Sequence, residues 1–213
     1  MLRLLALVAA LATPASFESS VTHLPAPVRH ELRAGGFYAK GCPVAMSDLR
    51  LLTVSYVNFH GHVRTGRLVV NRRAARPLAH VFRKLYARRF PIRHMALADF
   101  YGPKRQRPPD GDVTEAFECR QAASSPCVGG GGTGSWSMHA YGLAVDLDPA
   151  ENPYVGCGQS RDPTLRRYRD RSNHLRGMVG PRVIAAFASI GWGWGGSWAG
   201  NTKDYMHFSA NGH

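Results

Sequence analysis

Acidic residues are scarce in this chain: 14 Asp and Glu stand against 27 Lys and Arg, a formal net charge of +13 over 213 residues. The basic residues gather in Arg64 to Arg76, Arg83 to Arg93, Lys104 to Arg107 and Arg161 to Arg176, and so spread over several elements. Such a surplus points to an anionic partner. It comes without a recognition helix, an aromatic ribonucleoprotein motif or zinc-finger spacing, so specific nucleic-acid reading has no visible apparatus. A basic, non-catalytic module for an anionic polymer or nucleic acid is kept as the alternative reading of the charge.

Long apolar runs are also lacking. Leu4 to Ala12 is too short to span a bilayer; with Arg3 before it and small residues around Thr13 and Ala15, residues 1–15 read as a secretion signal. No later stretch suits a membrane span. There are only four cysteines, Cys42, Cys119, Cys127 and Cys157, and no C-x-x-C pair, which argues against a cysteine zinc knuckle. An even count in an exported chain predicts two disulfides, and spacing leaves all three pairings open. Neither a repeat nor a splitting linker occurs, so residues 16–36, with Pro25 and Pro27, are expected as an irregular leader before a single domain over 37–213.

Within that domain, Leu49 to Val57 and Gly66 to Val70 read as a hairpin around Phe59-His60-Gly61-His62. Arg72 to Arg89 is amphipathic, with Leu78, Val81, Phe82, Leu85 and Tyr86 at helical spacing and Pro77 expected near its first turn. Ile92 to Leu97 alternates as a strand, and Pro181 to Ile190 is a second helix, opened by Pro181 and closed by Gly191.

Chemistry concentrates in two short segments. In Ser137-Met138-His139-Ala140-Tyr141-Gly142-Leu143-Ala144-Val145-Asp146, residues Leu143 to Asp148 alternate as a half-buried strand with Asp146 and Asp148 facing outward. Gly142 allows a sharp turn that folds His139 back to the Asp146 side. In Asp204-Tyr205-Met206-His207, the three-residue spacing predicts a tight turn leading into a short strand at Phe208. Two imidazoles, a carboxylate and a spare acid match a hydrolytic zinc centre: three ligands, an open position for water, and a base. His60 and His62 form a second His pair, but a hairpin tip offers little enclosure for a metal. Trp192, Trp194 and Trp198 read as core and cleft wall rather than sugar platforms. Asp148 suits either an outer-shell role or a solvated one.

Ser-x-His-x-x-Gly-x-Ala-x-Asp followed by acid-x-x-His resembles the M15 zinc peptidases that cut bacterial wall peptides. Gly41-Cys42-Pro43-Val44, Arg89-Phe90-Pro91-Ile92, Ala116-Phe117-Glu118-Cys119-Arg120, Asn152-Pro153-Tyr154 and Gly191-Trp192-Gly193-Trp194-Gly195-Gly196 extend the likeness to the D-alanyl-D-alanine carboxypeptidase-like subgroup, over roughly residues 37 to 209. The resemblance implies zinc bound by His139, Asp146 and His207, Asp204 as general base, Arg120 steadying the oxyanion and Ser137 holding substrate. It implies pairing of Cys42 with Cys119, leaving Cys127 with Cys157. The expected fold is α+β, a small antiparallel sheet carrying zinc on one face and helices on the other, of Hedgehog and D,D-peptidase type. The expected function is a secreted, wall-associated monomeric zinc metallopeptidase acting on peptidoglycan stem peptides, attracted also to anionic wall polymers. Two departures stand out. The family often carries Glu where this chain has Asp204, and Phe117-Glu118-Cys119-Arg120 replaces a Tyr-Arg-Ser segment common in wall carboxypeptidases.

Overall fold

A computed structural model describes residues 16–97, 112–125, 127, 132–157, 159–160 and 163–213. The expected signal over residues 1–15 lies outside them. In chain order the strands and helices are β1 (Ser19–His23), α1 (Ala26–Ala34), β2 (Leu49–Val57), β3 (Val63–Asn71) and α2 (Arg72–Ala87). They continue with β4 (His94–Met95), β5 (Val113–Thr114), β6 (Gln121–Ala123), β7 (Gly132–Trp136), β8 (Ala144–Asp146), β9 (Tyr154–Gly156) and β10 (Gln159–Ser160). Last come α3 (Pro181–Ala188), β11 (Gly193–Trp194), β12 (Thr202–Asp204) and β13 (His207–Ser209). The class is α+β, but the single sheet expected is divided. Among the described residues there are three three-stranded sheets, β1-β2-β3, β10-β9-β12 and β11-β13-β8, and two two-stranded pairs.

Alternation along β2 and β3 explains the layering. Leu52, Val54, Leu68 and Val70 face a core shared with Leu78, Val81, Phe82 and Leu85 of α2, Val183 and Phe187 of α3, and Val145 and Phe208 of β8 and β13. Leu49, Leu51 and Val69 belong to a second core with Val28 and Leu32 of α1, Phe37, Val113 and Phe117. Phe187 stacks on Phe208 with ring centroids 3.8 Å apart, which fastens α3 to the strand that begins with His207.

Several local expectations are corrected. Residues 16–36 are not irregular: β1 pairs antiparallel with β2 from Ser19 opposite Val54 to His23 opposite Arg50, and α1 buries Val28 and Leu32. Pro27 is in the first turn of α1, where a missing N–H breaks no helical bond. Asn71 caps α2 by accepting from the Arg73 N–H, so the helix starts at Arg72 and Pro77 falls inside it, past the first turn. Of Ile92 to Leu97 only β4 is strand, and it pairs in parallel with β5. The segment over Leu143 to Asp148 is not half-buried: Ala144 to Asp148 are all buried, with His139 and His207 against the Asp146 side chain and Thr114 and the Arg93 backbone against that of Asp148.

The covered acids form a polar hub. Asp112, Asp148 and Glu151 are each at most 1% exposed, around Arg93. Arg93 donates from Nε to Asp112 at 2.8 Å and from Nη2 to Glu151 at 2.6 Å, and its guanidinium lies 4.1 Å from the Phe59 ring centroid. Asp148 accepts from the Arg93 backbone N–H and the Thr114 hydroxyl, which hold its left-handed backbone (φ 44°) in place. One cation among three buried carboxylates favours proton retention: burial first, then the neighbouring Glu151, pushes Asp112 up to about 8. Asn152 is saturated, donating to the carbonyls of Leu147, Asp148 and Gly177 and accepting from Val179 N–H and Arg171.

Two predictions arise from this packing. Gly142 has φ 65°, and a Cβ there would meet the Asn71 nitrogen at 2.6 Å and the Val70 carbonyl carbon at 3.1 Å. Gly142→Ala should therefore cost about 2 kcal/mol or more and lower Tm by roughly 4–8 °C, whereas Gly200→Ala, also left-handed but open to space, should cost about 1 kcal/mol. Equal losses in thermal unfolding would contradict the close approach. For Asp112, a folded pKa near 8 lies above its ordinary value of 3.8, so its contribution to stability is present below that value and is lost as pH rises through about 8. Asp112→Asn should be the less stable protein near pH 4, with the difference from wild type shrinking as pH approaches 8; a pH-independent difference in Tm would contradict it.

Candidate metal centre

β8 and β13 pair antiparallel with Asp146 directly opposite His207. Their side chains share a face, and His207 Nδ1 lies 3.1 Å from Asp146 Oδ1. His139 reaches the same point from a 3-10 turn, Met138–Tyr141, capped at its start by Ser137, whose Oγ accepts from the His139 N–H, and closed by left-handed Gly142. The turn is tied to the main sheet: the Asn71 N–H donates to Gly142 O and Asn71 Nδ2 to Tyr141 O. This is the fold-back expected of Gly142.

The result is a nearly equilateral triangle of donor atoms. His139 Nε2 is 3.2 Å from Asp146 Oδ1 and 3.2 Å from His207 Nδ1. A tetrahedral zinc with bonds of about 2.0–2.1 Å to nitrogen and oxygen would separate neighbouring ligand atoms by about 3.3–3.4 Å. The donor set and its spacing fit that ion. His139, Asp146 and His207 form the one group of three or more His, Cys, Asp or Glu side chains among the described residues that could hold a metal. His60 and His62 remain exposed at the hairpin tip, ring centroids 6.2 Å apart.

Backbone groups orient the triangle. His139 Nδ1 is 2.5 Å from the Ala116 carbonyl, so Nδ1 carries the proton and Nε2 presents its lone pair to the centre. Glu115 and Asp146 exchange N–H···O bonds of 3.1 and 2.9 Å, which fixes the Asp146 backbone. Burial alone would raise the Asp146 carboxyl, but His139 and His207 outweigh it and hold the group well below the ordinary carboxylate range. Burial alone would lower His207, yet hydrogen bonding and charge from Asp146, with the charge of Asp204, raise it. Asp146 is thus held as an anion between the two imidazoles.

Arg120 and Asp204 flank it. Arg120 Nη2 lies 4.0 Å from Asp146 Oδ2, while its Nε donates to Glu118 at 2.8 Å. Burial works against its charge, but Asp146, Glu118 and Glu115 outweigh burial and raise its pKa. Its carbonyl accepts from the Ser137 N–H, and Cys119 beside it is bonded to Cys42. Asp204 ends β12 opposite Tyr154, pressed on Gly195, where a Cβ would come within 2.5 Å of the Asp204 carbonyl oxygen. Residues 205–206 then bend into β13, as the Asp-x-x-His spacing requires. Trp194 Nε1 donates to Tyr205 O and Trp198 stands 5.9 Å from the His207 ring, so these tryptophans shape the site wall. Asp148 belongs to the hub around Arg93 and not to the solvent. Cys42–Cys119 and Cys127–Cys157 are both bonded, with Cα atoms 5.7 and 5.3 Å apart.

Residue types announced the triangle, but not what holds it. Ala116 acts through its carbonyl and Glu115 through its backbone, so neither side chain signals the role. Glu118 was visible only as part of a family-like segment.

Comparison with known proteins agrees with this site. Residues 130–210 match the family model described as D-alanyl-D-alanine carboxypeptidase. No curated protein and no solved structure matches the chain. The matched stretch takes in Ser137, His139, Asp146, Asp204 and His207, and this part of the chain is similar to the M15 family peptidases.

Proposed function

We propose that this protein is a secreted, monomeric zinc metallopeptidase that hydrolyses peptidoglycan stem peptides, as a D,D-carboxypeptidase or an L-Ala-D-Glu endopeptidase, on a domain of Hedgehog and D,D-peptidase type. The family match supports a peptidase acting on cell-wall peptides, and two disulfides fit an exported chain. Among the described residues no helix is long and apolar enough to cross a membrane. The observation that carries the zinc reading is the His139, Asp146, His207 triangle, with its 3.1–3.2 Å edges.

A zinc ion held by these three residues supplies, when bound, a Lewis acid with one position left for water. Asp204 is the general base: its carboxylate takes a proton as the water oxygen bonds to the scissile carbonyl carbon, then returns it to the nitrogen as the C–N bond breaks. Arg120, kept cationic by its acidic neighbours, offsets the charge that develops on the carbonyl oxygen. Ser137 anchors the His139 turn through its Oγ and contributes a hydroxyl at the same edge for substrate.

Mass analysis of purified stem peptides after digestion tests this reading. Cleavage should stop with a chelator and return with zinc. Asp204→Ala should keep its zinc while turnover falls about 10²-fold to 10⁴-fold, and Asp204→Glu should retain much of the activity. Full turnover in Asp204→Ala would remove Asp204 from the reaction, and loss of its zinc would make it a ligand or a prop for one.

A further inference from the structure

An open cavity of about 600 Å³ lies where β1 and β2 meet the start of α2, and His23, Arg50, Arg72, Arg73 and Arg76 line it. We propose that it is a docking site for a phosphodiester-linked anionic polymer of the cell wall. The proposal rests on the reading of the protein as a wall peptidase, which sets the polymer it would meet.

The stability of the fold does not account for these arginines. Arg72, Arg73 and Arg76 crowd the N-terminal end of α2, whose first turn carries no acid, and cations are disfavoured at the positive end of a helix dipole. The helix cannot rotate them elsewhere, because Ala74, Ala75, Leu78, Val81 and Phe82 seat its opposite face in the core. Neutralisation is slight: Arg72 meets Asp48 at 3.1 Å, with both side chains more than 40% exposed, a weak arrangement in water. Arg73 and Arg76 are exposed and have no acidic partner among the described residues. Arg50, opposite His23 across the sheet, donates from Nη1 to the carbonyls of Ser47 and Leu49, which orients its guanidinium and leaves its other N–H groups available. Planar guanidinium forks suit phosphate oxygens.

The lining also selects among polyanions. No Phe, Tyr or Trp lines the cavity, so apart from His23 it offers no face on which nucleic-acid bases would stack. The exposed Trp136 is on β7, outside the cavity, and the apolar lining is Val21 alone, too little to wedge into lipid. A chain of phosphates without bases fits best. Asn71, immediately before Arg72, holds the turn bearing His139 through Tyr141 O and Gly142 O. A docked polymer would thus fix the metal centre relative to the wall.

Binding of the full protein to cell-wall sacculi, intact or with their phosphodiester polymer extracted, tests the proposal. Wild type should prefer intact sacculi and release with salt, and Arg73→Gln with Arg76→Gln should weaken that binding about tenfold. Arg166→Gln with Arg182→Gln, two exposed arginines elsewhere, removes the same charge and should change binding about twofold or less. Both doubles should cleave a short soluble stem peptide at the wild-type rate. Equal weakening by the two doubles, indifference to extraction, or tighter binding of duplex DNA than of the polymer at equal salt would overturn the docking site. Selective binding by a protein that cleaves no soluble peptide would leave docking intact and overturn the peptidase reading.

Discussion

Register between β8 and β13 is the constraint on which the site depends. Asp146 and His207 lie 61 residues apart and share a face because their strands pair with these two residues opposite one another. A slip of one residue would turn either side chain to the other face and dissolve the triangle. Phe208 and Val145, the next opposed pair, point the other way into the core and pin that register by burial, with Phe187 stacked on Phe208. The same alternation that places two corners of the triangle therefore places their anchors.

Covalent and polar ties brace the surrounding loops. Cys42–Cys119 fixes the residue before Arg120, and Cys127–Cys157 fixes the residue after β9, the strand that pairs with β12 and leads to Asp204. Asn152 and the Arg93 hub secure the chain just beyond β8, where Asp148 holds an uncommon backbone conformation. Buried carboxylates there serve architecture, whereas the single carboxylate of the triangle, Asp146, is held as an anion. The difference lies in their neighbours: imidazoles surround Asp146, whereas other acids surround Asp112.

The site was more legible in the sequence than the framework. Imidazole and carboxylate side chains declare themselves by type, and Gly142 by the turn it allows, so His139, Asp146 and His207 converge as their spacing suggested. β1 gave no comparable sign. Ser19–His23 is a mostly exposed edge strand held by backbone bonds to β2, without the apolar alternation that marks a half-buried strand. In α1 the prolines masked a helix, though Val28 and Leu32 are one turn apart. Asp148 and Asp146 read as outward-facing because a local pattern cannot register that His139, His207, Arg93 and Thr114, distant along the chain or outside the strand, meet those side chains. Pro77 shows packing overriding local preference: α2 continues through it with Ala74, Leu78 and Val81 buried on either side.

The central claim is that three side chains from β8, β13 and the 3-10 turn compose one zinc site. X-ray absorption at the zinc edge of the protein loaded with one equivalent of metal tests it most directly. The account predicts nitrogen and oxygen ligands alone at about 2.0–2.1 Å, outer-shell scattering from two imidazoles, and loss of one of them in His139→Ala. A sulfur shell near about 2.3 Å, or two imidazoles retained in that variant, would contradict it.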